Sequence, residues 1–385
     1  MGFKWKRYFR LRRWVKSISF FLSDPIAPLI TIDSDGRKHL LLIKTEAIGD
    51  YILFRNFLQS VRESEAYKDH HISLIGNEIW KPLFQKLDLN YVDTAYFINR
   101  NLFMTVASYR KDFFNNFNTI NFNAIVNCTH SREFLLGDLM VRALASKNKI
   151  GMEGDSVSEI PPLKLLGNTF YTRLIGSNRN NYFEFARNKH FFEQLLSTKI
   201  SLNYPQIEHE EVAKKFVVML PGAQDKVRQW PSERFKELAQ KIHDVHGYEI
   251  ILSGSAAEKA AAELILDAEN AAYIKNFCGV TALGDLPKLL AGAVLAICND
   301  SGTLHMAAAL NVPTVCISNG NHYGRFSPYP EAKGRKLAFL YPPSFLAEYE
   351  SEDARRKEMA FGSRYTIASI GVEEAWLVIE RILND

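Results

Sequence analysis

Three short stretches of the chain bring together residue types that handle anions and protons. The first is Lys44-Thr45-Glu46-Ala47-Ile48-Gly49-Asp50, the exit of an apolar run. A glycine followed by a carboxylate at the carboxyl end of a strand sits where open α/β sheets place ligands. Asp50 would serve there as a general base, or simply as the N-cap of the helix that follows. With one glycine only, the turn is not the G-x-G-x-x-G approach to a dinucleotide, which disfavours NAD. The second stretch runs Pro221-Gly222-Ala223, a loop carrying Lys226 and Arg228, then Trp230-Pro231-Ser232-Glu233-Arg234-Phe235. A strand, a Pro-Gly turn and a cationic loop before a helix make an anion-binding corner, although cationic loop residues are ordinarily just solvated. The third is Cys298-Asn299-Asp300-Ser301-Gly302-Thr303-Leu304-His305, leading into Met306-Ala307-Ala308-Ala309-Leu310. A buried strand there delivers Asp-Ser-Gly-Thr to a helix N-terminus, where backbone N–H groups and the helix dipole favour phosphate or diphosphate. His305 lies one turn in, within reach of such a ligand or lining the core of an ordinary capped helix.

These residues must be held by a scaffold, and the apolar pattern predicts one. Nearly continuous apolar runs at His39 to Lys44, His71 to Ile75, Ala124 to Cys128, Phe216 to Leu220, Glu249 to Leu252, Val294 to Cys298 and Pro313 to Ile317 suit parallel strands buried on both faces. Helical patterns fall between them at Tyr51 to Arg62, Glu133 to Ala145, Ser232 to Val245, Ala256 to Ala268, Leu283 to Ala291 and Thr303 to Leu310. The alternation predicts doubly wound α/β architecture used twice, with Tyr91 to Asn123 irregular and Leu196 to Val212 as the linker. At 385 residues the chain exceeds the roughly 250–300 residues a single core supports, which also argues for two domains.

Composition narrows the function classes. Seven basic residues, Lys4, Lys6, Arg7, Arg10, Arg12, Arg13 and Lys16, precede the first acid, Asp24. Removing them from the 47 Lys and Arg leaves 40 against 43 acids, so the body is not a general polyanion binder and nucleic acid is not an expected partner. The four cysteines, Cys128, Cys278, Cys298 and Cys316, form no C-x-x-C pair and read as buried hydrophobes in a reducing compartment. No apolar run approaches the roughly 20 residues of a membrane span, and a cleaved signal peptide is not expected. Tyr8, Leu11, Val15, Ile18 and Leu22 recur at spacings of three and four, which predicts a basic amphipathic helix over residues 3–22. Such a helix lies on an anionic membrane surface or packs on the protein's own body.

In order and together, the three stretches resemble glycosyltransferase family 9, the heptosyltransferases of lipopolysaccharide core assembly. The likeness rests on Leu41-Leu42-Ile43-Lys44 with Ile48-Gly49-Asp50, on Pro221-Gly222-Ala223 with Arg228-x-Trp230-Pro231-x-x-Arg234-Phe235, and on Asn299 to Gly302 with His305 to Leu310 and Val312-Pro313-Thr314. The resemblance implies a GT-B fold, two Rossmann-like domains facing a central cleft. A basic extension over 1–37, outside the resemblance, would precede an acceptor domain over 38–200 and a nucleotide-sugar domain over 213–385 that ends in a helix at 370–384. It further implies an inverting, metal-independent transferase with no cofactor, moving heptose from ADP-heptose to a lipid-linked inner-core acceptor. Such an enzyme would be cytoplasmic and peripheral on the inner face of the membrane. Asp50 falls on the general base, and Gly49 beside it on the same turn. Gly222, Ala223 and Arg228 fall on the donor side, and Asp300, Ser301, Gly302, Thr303 and His305 on the stretch that holds diphosphate and sugar. The acid expected just after the glycine of the next strand falls at Glu258, four residues after Gly254. Transfer of a different sugar, or nucleotide-sugar binding without catalysis, would use the same fold.

Overall fold

The computed structural model of the chain describes residues 15–26, 36–155, 159–177, 182–210, 213, 216–330 and 334–384. Two sheets form, each of six parallel strands. The first contains β1 (His39–Lys44), β2 (His71–Asn77), β3 (Thr94–Ile98), β4 (Ala124–Asn127), β5 (Lys149–Met152) and β6 (Arg173–Ile175), in the spatial order 3-2-1-4-5-6. The second contains β7 (Phe216–Leu220), β8 (Glu249–Leu252), β9 (Ile274–Asn276), β10 (Ala293–Asn299), β11 (Thr314–Ile317) and β12 (Leu337–Leu340), in the order 12-11-10-7-8-9. Helices cover both faces, and with two such sheets the chain has the GT-B architecture.

The period of two along the central strands explains how the halves pack. Leu40 and Leu42 of β1 enter one core layer, while Leu41 and Ile43 enter the layer on the other face. Val218 and Leu220 of β7, and Ala296 and Cys298 of β10, join the same layer as Leu40 and Leu42. Val217, Met219, Leu295 and Ile297 face away into a layer of their own. One face of each sheet therefore turns toward a shared central core, which sets the two sheets in fixed relation without covalent help. The four cysteines are free and buried.

Several sequence expectations change. The stretch expected to be irregular, Tyr91 to Asn123, contains β3 and the helices Arg100–Thr105 and Ala107–Asn115. The helix expected from Tyr51 starts earlier, at Ile48, breaks after Ile52 and resumes over Asn56–Arg62. Ala47 is its N-cap, so Asp50 lies inside the first turn and is not the cap. The helix expected over Glu133 to Ala145 opens with a wide turn at Phe134–Asp138 and continues over Leu139–Ala143. The one expected from Ala256 is a tight turn followed by Lys259–Ile265, and the terminal helix spans Val372–Asn384. No helix among the described residues is long and apolar enough to cross a membrane.

Residues 15–23 are helical, as the spacing predicts, whereas Tyr8 and Leu11 lie outside the described residues. The face that docks is not the predicted stripe. Ser17, Phe20 and Asp24 are buried, while Val15, Ile18 and Leu22 are 58%, 37% and 75% exposed. The reason is an ion pair at the helix end. Asp24 receives two bonds from the buried Arg110 guanidinium, the Nε contact at 2.9 Å, and the same guanidinium lies 4.7 Å from the Phe20 ring and 4.1 Å from Phe103. Phe20 completes a small core with Phe134, Leu139 and Leu163. Arg110→Met leaves the Asp24 carboxylate buried without its partner, which costs about 3–5 kcal/mol. This variant is expected to melt lower and to be cut by protease between residues 15 and 36 well before the wild type.

Candidate active site

The order of each sheet reverses at one point, between β1 and β4 in the first and between β7 and β10 in the second. Chains leaving those four strands diverge, and the crevice that opens at their carboxyl ends is where doubly wound sheets hold ligands. Asp50 follows β1, His130 follows β4, Gly222 follows β7 and Asp300 follows β10. The shared core turns these two crevices toward each other. Gly49 and Gly302 meet at the seam: a Cβ on Gly302 would lie 3.0 Å from the Gly49 backbone nitrogen, and one on Gly49 would lie 2.8 Å from the His305 ring. Both positions require glycine for this approach, well short of a comfortable carbon contact.

The turn bearing Asp50 is held by its carbonyls. Asn77 Nδ2 and Trp80 Nε1 both donate to the Glu46 carbonyl, at 3.0 and 3.2 Å, and Trp80 stacks on Tyr51 with centroids 4.4 Å apart. Arg100 donates to the Thr45 carbonyl at 2.7 Å and pairs with Glu133. A recess beside this turn is lined by Thr45, Glu46, Arg100, Asn127, Thr129 and Glu133. Lys44 is wholly buried and donates to Glu46 at 3.0 Å and to the Cys128 carbonyl at 3.2 Å. Burial works against its ammonium, yet Glu46, Asp50 and Glu184 carry its pKa above the ordinary lysine value. Burial, then the nearby Glu46 charge, pushes the Asp50 carboxyl up to about 6, with Glu184 adding to the rise and Lys44 and Arg325 opposing it.

On the other side, Asn299 ties the second stretch to the third, accepting from Trp230 N at 3.0 Å and donating to the Pro221 carbonyl at 2.6 Å. Trp230 and Arg234 both donate to the Ile370 carbonyl, so that pattern anchors the terminal helix and presents Arg228. Arg228 donates to the Asp300 carbonyl, and its side chain remains partly exposed. The Asp300 carboxylate accepts from Ser318 and Ser327 at 3.0 and 2.9 Å, which pins the loop after β11. Ser301 Oγ pairs with Thr303 Oγ1 at 2.9 Å, and no side chain caps the first turn of the helix Gly302–Ala309. His305 is buried between Gly49 and Tyr329, whose hydroxyl lies 2.8 Å from Nδ1, and burial lowers its pKa to about 4, so it is neutral at pH 7. Glu258 stands over Gly222 and Gly254 and closes its own capping box with Ser255. Ala223 accepts from Gln229 at 2.8 Å.

The structure thus collects Gly49, Asp50, Asp300, Ser301, Gly302, Thr303 and His305 at one seam, with Arg228 bonded to Asp300, and gathers Gly222, Ala223 and Glu258 at the ends of β7 and β8. Sequence reasoning missed Glu184, Arg325 and His130, which surround the same seam. Glu184 accepts from Arg325 at 2.9 Å, and His130 Nε2 lies 3.5 Å from Asp155. A carboxylate inside the apolar run Phe183-Glu184-Phe185 was the available signal.

The model of glycosyltransferase family 9 (heptosyltransferase) matches residues 139–338. Among curated proteins the chain is 38% identical over 112 residues to lipopolysaccharide heptosyltransferase 2 of Escherichia coli (strain K12), covering 28% of this chain and 30% of that one. It is 31% identical over 156 residues to lipopolysaccharide heptosyltransferase 1 of Pseudomonas aeruginosa, covering 37% and 42%. These matches span less than half of the relatives' own length. Among solved structures, E. coli heptosyltransferase WaaC with ADP superposes with a TM-score of 0.67 at 18% identity, over 89% of this chain and 99% of that one. A family 9 glycosyl transferase from Veillonella parvula gives 0.68 at 19%, over 92% and 99%.

A folded-state carboxyl with a raised pKa holds its proton more tightly than in the unfolded chain. Native stability from Asp50 is therefore complete below pH 4 and lost as pH rises through about 6. Asp50→Asn is expected to raise the calorimetric melting midpoint at pH 8 by roughly 3 °C or more and to bring no gain at pH 4. An equal or lower midpoint at pH 8 contradicts the buried-charge account.

Proposed function

Because the chain belongs to glycosyltransferase family 9, the heptosyltransferase family, we propose that it transfers heptose from ADP-heptose to a lipopolysaccharide inner-core acceptor, inverting the anomeric centre without a metal ion. The observation that supports this reading is the seam itself: Gly49, the residue before Asp50, lies against Gly302, the first residue of the helix Gly302–Ala309. In-line displacement needs a base on one face of the sugar and a receiver for the leaving group on the other. Asp50 takes the proton from the acceptor hydroxyl as its oxygen bonds to the anomeric carbon. The bond from that carbon to the diphosphate breaks, and the negative charge passes to the leaving group. First-turn N–H groups of the helix and the Arg228 guanidinium are the donors that receive it, already oriented before the reaction. The adenine nucleotide is carried over from the relatives crystallised with ADP and with ADP-2-deoxy-2-fluoro heptose.

Asp50→Asn is expected to lower kcat by about 10²-fold or more with donor affinity nearly unchanged. Arg228→Ala is expected to weaken donor binding, and full activity is expected to survive EDTA. A variant at Asp50 with most of the wild-type rate, or strict dependence on Mg²⁺, contradicts the scheme.

We further propose that residues 3–22 hold the enzyme on the anionic cytoplasmic face of the membrane, where a lipid-linked acceptor resides. Support comes from the exposed Val15, Ile18 and Leu22 on a helix whose opposite face is docked, and from the seven basic residues around it. Anionic liposomes are expected to sediment the full chain at low salt and to lose it at high salt. Ile18→Asp with Leu22→Asp is expected to abolish that binding; unchanged binding overturns the proposal.

A further inference from the structure

Beside Asp50, a polar clasp joins the two halves. Arg325 sits on the loop after β11, which Ser318 and Ser327 pin to the Asp300 carboxylate. Its guanidinium reaches out of the second half and donates through Nε to Glu184 Oε2 at 2.9 Å and through Nη1 to Ser131 Oγ at 2.7 Å. Asp155 Oδ2 lies 3.8 Å from the same Nη1 and accepts from Ser131 at 2.8 Å. The backbone closes the contact in the other sense, Glu184 N donating to the Arg325 carbonyl at 2.8 Å. Glu184 is fully buried and Arg325 nearly so.

We propose that Arg325 is a positioning residue of the transfer site: received across the cleft by Glu184, Ser131 and Asp155, it holds the two halves closed on Asp50 and sets the balance of charge around that carboxylate. The proposal rests on Asp50 lying at the reacting centre, as argued above.

Two physical arguments support it. A guanidinium offers its donors in a rigid fork, so two hydrogen-bond acceptors, Glu184 and Ser131, with the Asp155 carboxylate nearby, on three different segments of the first half, fix its orientation as a lysine could not. A buried ion pair of this kind adds little net stability over apolar packing, which points to a role in geometry and charge. The groups facing Asp50 come from four directions. Lys44 and Glu46 belong to its own turn, Glu184 to the helix Glu184–Leu196, Arg325 to the loop after β11, and the neutral His305 to the helix Gly302–Ala309. Further out, Arg187 and His130 act on Glu184. Lys44 and Arg325 favour the Asp50 carboxylate; Glu46, Glu184 and burial oppose it. The two partners of one clasp thus pull the same carboxyl in opposite directions.

That opposition separates a charge-setting role from a merely structural one. The Asp50 carboxyl can be titrated by NMR on full-length ¹³C-labelled protein, its resonance assigned by its loss in Asp50→Asn. Arg325→Met is expected to move the midpoint up by about half a unit or more, Glu184→Gln to move it down, and Arg325→Lys to leave it near wild type. Both Arg325→Met and Glu184→Gln are expected to loosen the cleft, read as a larger radius of gyration in solution scattering. Shifts in the same direction, no shift in either variant, or an Arg325→Lys titration that matches Arg325→Met overturns the proposal. So does unchanged compactness in both clasp variants. If Arg325→Met does not fold, Glu184→Gln and Arg325→Lys give the same discrimination. Turnover by Asp50→Asn at the wild-type rate would remove the assigned reaction while leaving the titration to judge the clasp.

Discussion

The contact between Gly49 and Gly302 is the constraint from which the rest of the site follows. The first turns of two helices, one after β1 and one after β10, approach until backbone meets backbone, with no space for a Cβ on either. Side chains larger than hydrogen would separate the halves and move Asp50 away from the helix Gly302–Ala309. The shared apolar core determines how close the halves can come, and the paired glycines let that closeness occur beside Asp50. His305 occupies the space left over Gly49, neutral and bonded to Tyr329, so it fills the seam without adding charge there.

Around this seam the protein accumulates charge in a place where charge is costly. Lys44, Glu46, Glu184 and Arg325 all act on the Asp50 carboxyl, and most of the five are removed from water. Compensation is uneven: Arg325, His130, Lys44 and Arg187 overcome burial to hold Glu184 well below the usual carboxylate range, while Asp50 is left only weakly compensated. A carboxyl with a pKa near 6 is ionised at neutral pH yet basic enough to take a proton from a hydroxyl as it attacks. In the proposed reaction, the cost in stability and the basicity of Asp50 have one origin, the low polarisability of the surroundings.

The amino-terminal helix shows the same logic of competing surfaces. Its apolar stripe at Val15, Ile18 and Leu22 would satisfy a core, but Phe20 and the Asp24–Arg110 pair claim the docking face. An ion pair with a stacked ring gives one orientation, whereas aliphatic contact tolerates many. The helix is consequently tethered by its polar end and carries its apolar residues outward.

Local pattern determined the scaffold where both faces of a strand are covered. β1, β7 and β10 are continuous apolar runs because core layers lie above and below them, and their boundaries were legible within a residue or two. β3, β6, β9 and β12 escaped detection because they lie at or near sheet edges, half exposed, where the demand for apolar residues relaxes. The short β5 escaped as well: its Gly151 gives way to the Tyr171 ring, which breaks the apolar run. Residues that follow a strand end within one loop or one turn, such as Asp50, Arg228 and Asp300, could be singled out because their chemistry and their position in the chain coincide. Tertiary structure alone decided the rest. Glu184 and Arg325 are 141 residues apart, and only the packing of two sheets on one core brings a carboxylate from the first half to a guanidinium from the second. The helix residues 15–23 carried two apolar faces in their sequence, and which one met the protein depended on Arg110, a side chain 86 residues from Asp24.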